Sequence, residues 1–574
     1  MGREDGPAEA GHYGSDGPVE AGHDERDGPQ DGGRRLVGIA LLCLALAIIH
    51  TWPLALAPGT YSRNDNGDAQ LNEWILAWVA HTLPRDPLHL FQANIFYPAK
   101  DTLAFSEPLI VPALLGAPIA WLGGSPVLAF NLMVIAGFAL TAFAGYVLVL
   151  RWTGDRAAAL LAGTTFAFNT HTLTRLAHVQ GLHIYGLPLA LLFTDRIVMR
   201  GRVRDGLWLA VWMIAMAYTS GYLLVFALIM VAVGALVRLR EWLSRARPVL
   251  LSFAIATVVA ALAILPLWIP YHRAATEQGM VRSLEGIAEF SATPRGYLAA
   301  AGTIHISTWS GRFFKDPVDS FFPGFVVIVV ACAAIVLAFA RGPGGEHALT
   351  RRRVLMLACI GIAGFVLSLG PATPVYGWVY RIFPPMRGLR AAARFGNLFL
   401  FAMSVLGGIG LAHVRRRFGR PGTASALAVA AIVLANGEAL RAPLEYRRFT
   451  GVPRLYALLA DQPHVVLAEV PFYPRQAVFE NAEYVLNSTA HWQPLMNGYS
   501  GYTPASYVGY ANVFWYFPRD SAIAAMKRAG VTHVMVHPER FGNEASDVLR
   551  VLEKRTDFEL MGVGTRELRL YRLH

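Results

Sequence analysis

The chain is dominated by a succession of long apolar runs, and the loops joining them carry arginine at every second connection. The runs lie near 36–57, 127–150, 156–170, 181–199, 206–219, 221–237, 249–269, 323–340, 354–370, 395–414 and 422–440. A helix needs about 17–25 predominantly apolar residues to cross a bilayer, so the pattern predicts a polytopic α-helical membrane protein of about eleven spans. With the N-terminus cytoplasmic, the alternate loops hold Arg151 and Arg156, then Arg200, Arg202 and Arg204, then Arg238, Arg240, Arg245 and Arg247. Arg341 with Arg351 to Arg353 comes next, followed by Arg415 to Arg417 with Arg420. Five loops in succession obey the positive-inside bias. One miscounted crossing would invert every loop after it.

The run 109–122 is left out of that count because it is short and broken by Pro112 and Pro118. It is read as interfacial or re-entrant, as is the amphipathic helix from Leu71 to Leu83, whose Trp74 and Trp78 suit the headgroup level. The same topology puts the loops 58–126, 169–180, 270–322 and 371–394 outside, along with everything after about 441.

Three regions follow. Residues 1–33 repeat Gly-Pro-x-Glu-Ala-Gly-His at 6–12 and 17–23 and are too polar to bury a core, which predicts a disordered acidic cytoplasmic tail. Residues 34–440 form the transmembrane region, and 441–574 a small extracytoplasmic α/β domain. In that domain 465–470, 533–536 and 565–573 read as strands, with helices near 476–486, 520–529 and 544–554. The net charge of +11 resides in short inter-span loops and implies no nucleic acid partner. Cys43, Cys332 and Cys359 all fall within apolar runs, so neither a disulfide framework nor a zinc knuckle is expected.

Chemistry concentrates in the outside loops. Asp65 and Asp68 follow the first run, and Glu107 lies in the same loop. Carboxylates at the mouth of an apolar helix suit a general base acting on a hydroxyl at the membrane surface. Equally, Asp68 is placed to cap the helix after it. Arg387, Arg390 and Arg394 lie on the side that the positive-inside rule disfavours, spaced to share one helical face. Guanidinium forks there match phosphate oxygens, or else snorkel or pair with loop acids such as Asp65. His171, Arg175 and His178 would align on a helix with His183 nearby, as lining for a polar site or as a plain interfacial loop. The segment His491 to Tyr502 interleaves aromatics, amides and glycines in a manner suited to sugar faces or to an ordinary anchored loop.

An acid after the first span, interfacial helices, the step Ser106-Glu107-Pro108-Leu109, many spans and an outside domain together resemble the GT-C superfamily of membrane glycosyltransferases. The protein O-mannosyltransferase and aminoarabinose-transferase branches are the most similar. Phe96-Tyr97-Pro98, Met386-Arg387-Gly388-Leu389-Arg390 and Asn497-Gly498-Tyr499 are similar to related uncharacterised bacterial membrane proteins. Where those families often have Asp-Glu, Asp68 is followed by Ala69, so the base position stays open between Asp68 and Asp65. The resemblance implies an inverting hexosyl or pentosyl transferase. It would move a sugar from a polyprenyl-phosphate donor to a glycan, lipid or protein acceptor at the outer face of the cytoplasmic (inner) membrane. Arg387, Arg390 and Arg394 would hold the donor phosphate, and Glu107 would orient the acceptor or join the aspartates around a divalent cation. The alternative is a transporter, flippase or non-catalytic binding protein for lipid-linked sugars. Against a proton-coupled carrier, the runs lack interior carboxylates.

Overall fold

The computed structural model describes residues 29–63, 66–315, 319–340, 345–418 and 420–574. Asp65, Arg341 and most of the acidic tail lie outside the described residues. The first helix already begins at Pro29, inside the segment assigned to that tail. The fold is mostly helical, and each of the eleven apolar runs contains a helix. The first nine helices are α1 (Pro29–His50), α2 (Gly67–Thr82), α3 (Ile110–Trp121), α4 (Pro126–Thr153), α5 (Arg156–Ala167), α6 (Thr170–Leu173), α7 (Gly186–Arg200), α8 (Val203–Thr219) and α9 (Gly221–Val237). The longer ones that follow are Ala246–Gln278, Phe325–Phe339, Gly345–Ser368, Gly396–Arg417 and Pro421–Ala439.

Among the described residues, six helical stretches are long and apolar enough to cross a membrane: Gly33–His50, Pro126–Thr153, Val179–Arg200, Leu239–Gln278, Ala392–Arg417 and Pro421–Ala439. Others are shorter for a physical reason. Helix α5 is packed against α4 and Gly396–Arg417, and most of its residues are buried by protein. It can be small and alanine-rich because little of it presents a face to lipid. Gly163 lets it approach α4 closely: a Cβ there would lie 2.2 Å from the Ala142 carbonyl oxygen.

Helix α2 is enclosed by protein. Trp74 and Trp78 are 1% and 7% exposed, buried by protein rather than placed among headgroups. Helices α3 and α4 cover one side of α2, and Ala482–Asn487 from the last part of the chain covers another. By contrast, α3 leaves Leu114, Leu115 and Trp121 exposed.

After the last long helix the chain builds a four-stranded sheet from β3 (Leu467–Val470), β4 (His533–Val536), β5 (Phe558–Val563) and β6 (Arg569–Leu573), in the order β3-β4-β6-β5. Strands β3 and β4 pair in parallel and are buried throughout, as parallel strands covered on both faces are. Strand β5, amphipathic and joined to β6 by a short turn, went unread in the sequence. Two short strands, β1 (Tyr61–Ser62) and β2 (Arg447–Arg448), tie the first loop to the start of this region. Asn487, in the sequence Asn-Ser-Thr, is buried and donates to the Tyr456 hydroxyl, so this glycosylation sequon faces the interior.

Candidate active site

The first loop and the last quarter of the chain meet through backbone pairing. Phe96 N–H donates to the Asn497 carbonyl at 3.0 Å, Tyr97 N–H to Leu495 at 3.0 Å, and Leu495 N–H to Asn94 at 2.7 Å. Gly498 lies flat on the Phe96 ring, where a Cβ would come within 2.5 Å of a ring carbon. That close approach sets the position of the next residue, Tyr499.

The Tyr499 hydroxyl donates to Asp68 Oδ1 at 2.7 Å, and His178 Nε2 lies 3.2 Å from Oδ2. Asp68 is not the helix cap. Asn66 fills that position, its side chain accepting the Asp68 N–H at 2.9 Å, which leaves the Asp68 carboxylate to face the site. Burial opposes ionisation of Asp68. The hydrogen bond and charge of His178, the Tyr499 hydroxyl and the Arg394 charge outweigh it and hold the carboxyl well below the usual carboxylate range. Burial pulls the His178 imidazole down; the bond to Asp68 opposes this, and the Arg394 charge adds to it. Burial and the Asp68 charge push Tyr499 up, so it remains a neutral donor.

Arg394 lies 3.8 Å from Glu107 Oε1, with its guanidinium 4.5 Å over the Tyr222 ring. Glu107 Oε2 accepts the Gly221 N–H at 2.9 Å, at the positive end of α9. Burial lifts Glu107 above the usual carboxylate range, although Arg394, Ser220 and the Gly221 N–H draw it back. Glu107 is therefore engaged at a helix terminus. Among the described residues no three His, Cys, Asp or Glu side chains converge to hold a metal ion.

The three arginines do not share a helical face. Arg387 ends one 3-10 turn, Pro384–Gly388, and Arg394 lies in another, Ala392–Phe395, with extended backbone between them. The spacing failed because the backbone leaves helical geometry between the arginines, at Leu389 (φ -90°, ψ 122°) and Ala391 (φ -98°, ψ 88°). The Tyr222 hydroxyl accepts the Arg390 and Ala391 N–H groups, both at 2.8 Å, and fixes the intervening loop. Arg390 stacks 4.3 Å over Phe290 and stays within electrostatic reach of Tyr499. Arg387 is exposed and donates to the Arg381 carbonyl.

The histidine segment also breaks. Only Thr170–Leu173 is helical, so His171, Arg175 and His178 diverge. His171 stacks on Phe321 at 4.5 Å and Arg175 faces Asp319 at 3.7 Å. His183, at the start of the next helix, is buried against the Met133 carbonyl at 2.9 Å. Of the four, His178 alone touches Asp68.

Two residues were missed in the sequence. Tyr222 gives no signal there, since it opens an apolar run. Arg282, like Arg390, falls in a loop that the sequence reading puts outside, and was legible by the same test. Its side chain donates to the Gly501 carbonyl at 2.6 Å, and burial and the Arg390 charge pull its pKa down. The His491–Tyr502 segment is used largely for docking. Trp492 stacks on His81 at 4.4 Å, and Tyr502 donates to the Gln278 carbonyl at 2.7 Å.

A membrane-embedded helical bundle with an acid, a histidine and arginines gathered where the first loop meets the C-terminal region defines the class of fold. No family model matches the sequence, and no curated protein matches it either. Among solved structures, the fold is similar to the arabinofuranosyltransferase AftD from Mycobacteria, with a TM-score of 0.58 at 15% identity, over 94% of this chain and 40% of that one. The chain thus spans well under half the length of AftD. The oligosaccharyltransferase of Archaeoglobus fulgidus in its apo form aligns at a TM-score of 0.47 and 12% identity, over 89% of this chain and 70% of that one. ArnT from Cupriavidus metallidurans bound to undecaprenyl phosphate aligns at 0.46 and 12%, over 95% and 98% respectively. The fold is thus similar to that of AftD, a membrane arabinofuranosyltransferase, in line with the resemblance that the sequence motifs carry.

Proposed function

We propose that the chain is an inverting glycosyltransferase that takes its sugar from a polyprenyl-phosphate carrier, with Asp68 as the base. The observation that carries this reading is the Asp68 carboxylate, held between Tyr499 and His178 with the Arg394 charge in its field, on a GT-C fold. In the proposed step an acceptor hydroxyl oxygen attacks the anomeric carbon. The bond from that carbon to the phosphate oxygen breaks, and its electron pair leaves with the phosphate. The hydroxyl proton passes to Asp68. A carboxyl held so low is a weak base, so it accepts the proton late, once the attacking oxygen has become acidic. Arg390 and Arg394 stabilise the departing phosphate, and Arg282 adds positive charge to the same region.

The topology belongs to this reading. Eleven crossings, with Asp68, Arg394 and the C-terminal α/β region outside, keep the arginine-rich loops in the cytoplasm. The acceptor is a glycan, lipid or protein hydroxyl of the cell envelope.

The test is transfer by purified protein from a panel of radiolabelled polyprenyl-phosphate sugars, with cell-envelope extract as acceptor. Wild type is expected to transfer label from one donor. Asp68→Asn is expected to abolish transfer with the thermal midpoint preserved. Near-normal turnover by that variant would remove Asp68 from the mechanism.

A further inference from the structure

A second charged site lies at the opposite end of the bundle. Helix α8 is 17 residues long and delivers Gly221 to Glu107 at its far end. At about 1.5 Å per residue, its first turn is roughly 25 Å away, close to the thickness of a bilayer core. There Arg196 and Arg200 of α7, with Arg202 and Arg204, surround a cavity of about 190 Å³ walled by Phe193, Trp208 and Asp205.

This cavity differs from the other basic regions at the same end. Arg238 and Arg353 both pair with Asp195, and Arg352 lies 3.4 Å from Glu241. Among the described residues, no carboxylate forms an ion pair with any of the four cavity arginines. Arg196 lies within electrostatic reach of Arg151 and Arg200 as well as of Asp205 and Asp195, so four arginines share the cavity with a single lining carboxylate. Solvated positive-inside arginines have no need to converge on one cavity.

The walls add two features. Phe193 and Trp208 stack at 5.9 Å, and Arg196 lies 5.2 Å over the Phe193 ring. Trp208 is 43% exposed, and Leu207 and Val211 beside it are exposed too, so an apolar surface runs from the cavity along α8. Asp205 is buried, and its Oδ2 has no hydrogen-bond partner among the described residues. A buried acceptor of this kind calls for a donor.

We propose that this cavity seats the phosphate of an anionic phospholipid whose headgroup carries a hydroxyl or amine. The guanidinium groups take the phosphate oxygens, Asp205 accepts from the headgroup donor, and the acyl chains follow Leu207, Trp208 and Val211. The site is separate from Asp68 and does not depend on the chemistry proposed there.

The experiment is native mass spectrometry of the full chain in detergent, titrated with phosphatidylglycerol against phosphatidylcholine. Wild type is expected to retain phosphatidylglycerol selectively. At about 1 kcal/mol per arginine near a membrane surface, Arg202→Ala with Arg204→Ala should weaken that retention about thirtyfold. The charge-matched pair Arg417→Ala with Arg420→Ala, exposed residues that do not line the cavity, should leave it unchanged. Equal loss in both pairs, or loss in neither, would overturn the site. Should the first pair fail to fold, Arg202→Gln with Arg204→Gln is read by the same criterion. A further arm adds inorganic phosphate alone. If millimolar phosphate displaces the lipid and stabilises wild type but not the cavity variant, the ligand is a soluble phosphate and the lipid assignment fails.

Discussion

The Tyr499 hydroxyl and the Asp68 carboxylate, 431 positions apart in the chain, share a hydrogen bond of 2.7 Å. The bond joins the first loop to the C-terminal region at a carboxylate that also touches His178. The bond fixes the orientation of the carboxylate, and misplacing a catalytic group by about 1 Å can cost about 10²-fold. Tyr499→Phe is therefore expected to lower turnover at least about tenfold while leaving the apparent KM for the lipid donor near wild type. Steady-state kinetics with the donor varied check this. A variant that loses donor affinity and keeps turnover would place Tyr499 in binding instead.

Gly498 makes the second test. Its Cα packs so closely on Phe96 that Gly498→Ala must push the two segments apart. Overpacking of this kind typically costs about 1–3 kcal/mol, and the displacement is passed directly to Tyr499. Both the thermal midpoint and the transfer rate should fall. Combining Gly498→Ala with Phe96→Leu should recover part of each, and a double variant no better than the single would show that ring contact is not the cause.

Arg394 and Arg387 separate phosphate recognition from surface charge. Arg394 stacks on Tyr222 and faces Glu107, whereas Arg387 is exposed and bonds a local carbonyl. A lysine cannot reproduce the planar, stacked fork of arginine. Arg394→Lys is expected to raise the donor KM about tenfold, equivalent to about 1.4 kcal/mol, and Arg387→Ala to leave it unaltered. Equal effects from the two substitutions would argue for a diffuse electrostatic contribution.

Glu73 gives a pH dependence. It is fully buried within α2 and accepts from Ser62 at 3.1 Å, and burial lifts its carboxyl from 4.5 to about 8. Its folded-state pKa is raised, so the favourable protonated state is fully present below 4.5 and is lost as pH rises through about 8. Across that window the folded chain holds a proton that the unfolded chain has released. Stability should therefore decline with a slope approaching about 1.4 kcal/mol per pH unit. Glu73→Gln should flatten the profile of thermal midpoint against pH in that range. An unchanged slope would show that another group titrates there.

The sequence made some of this arrangement legible and hid the rest for identifiable reasons. The apolar runs predicted helices in each of the places where they occur, because continuous hydrophobicity is a strong local signal. Strands β3 and β4 were equally visible as short buried runs, whereas β5 alternates weakly and was missed. Asp68, Glu107, His178 and Arg394 stood out as charged or titratable groups in outside loops. Their partners did not, because Tyr222 and the exact pairing of Tyr499 depend on contacts between distant segments. Helical spacing misled at Arg387 to Arg394 and at His171 to His178. In both cases the chain breaks into short turns, and a periodic arrangement of residues guarantees a shared face only where the backbone stays helical.

The pairing of residues 94–97 with 495–497 has a further bearing on biogenesis. Asp68 leaves the ribosome long before Tyr499 is made. At about 5–20 residues per second the interval is roughly 20–90 s. Throughout that time the Asp68 carboxylate lacks one of the two side chains that hold it. The surroundings of Asp68 are thus completed only when the final quarter of the chain docks on the first loop.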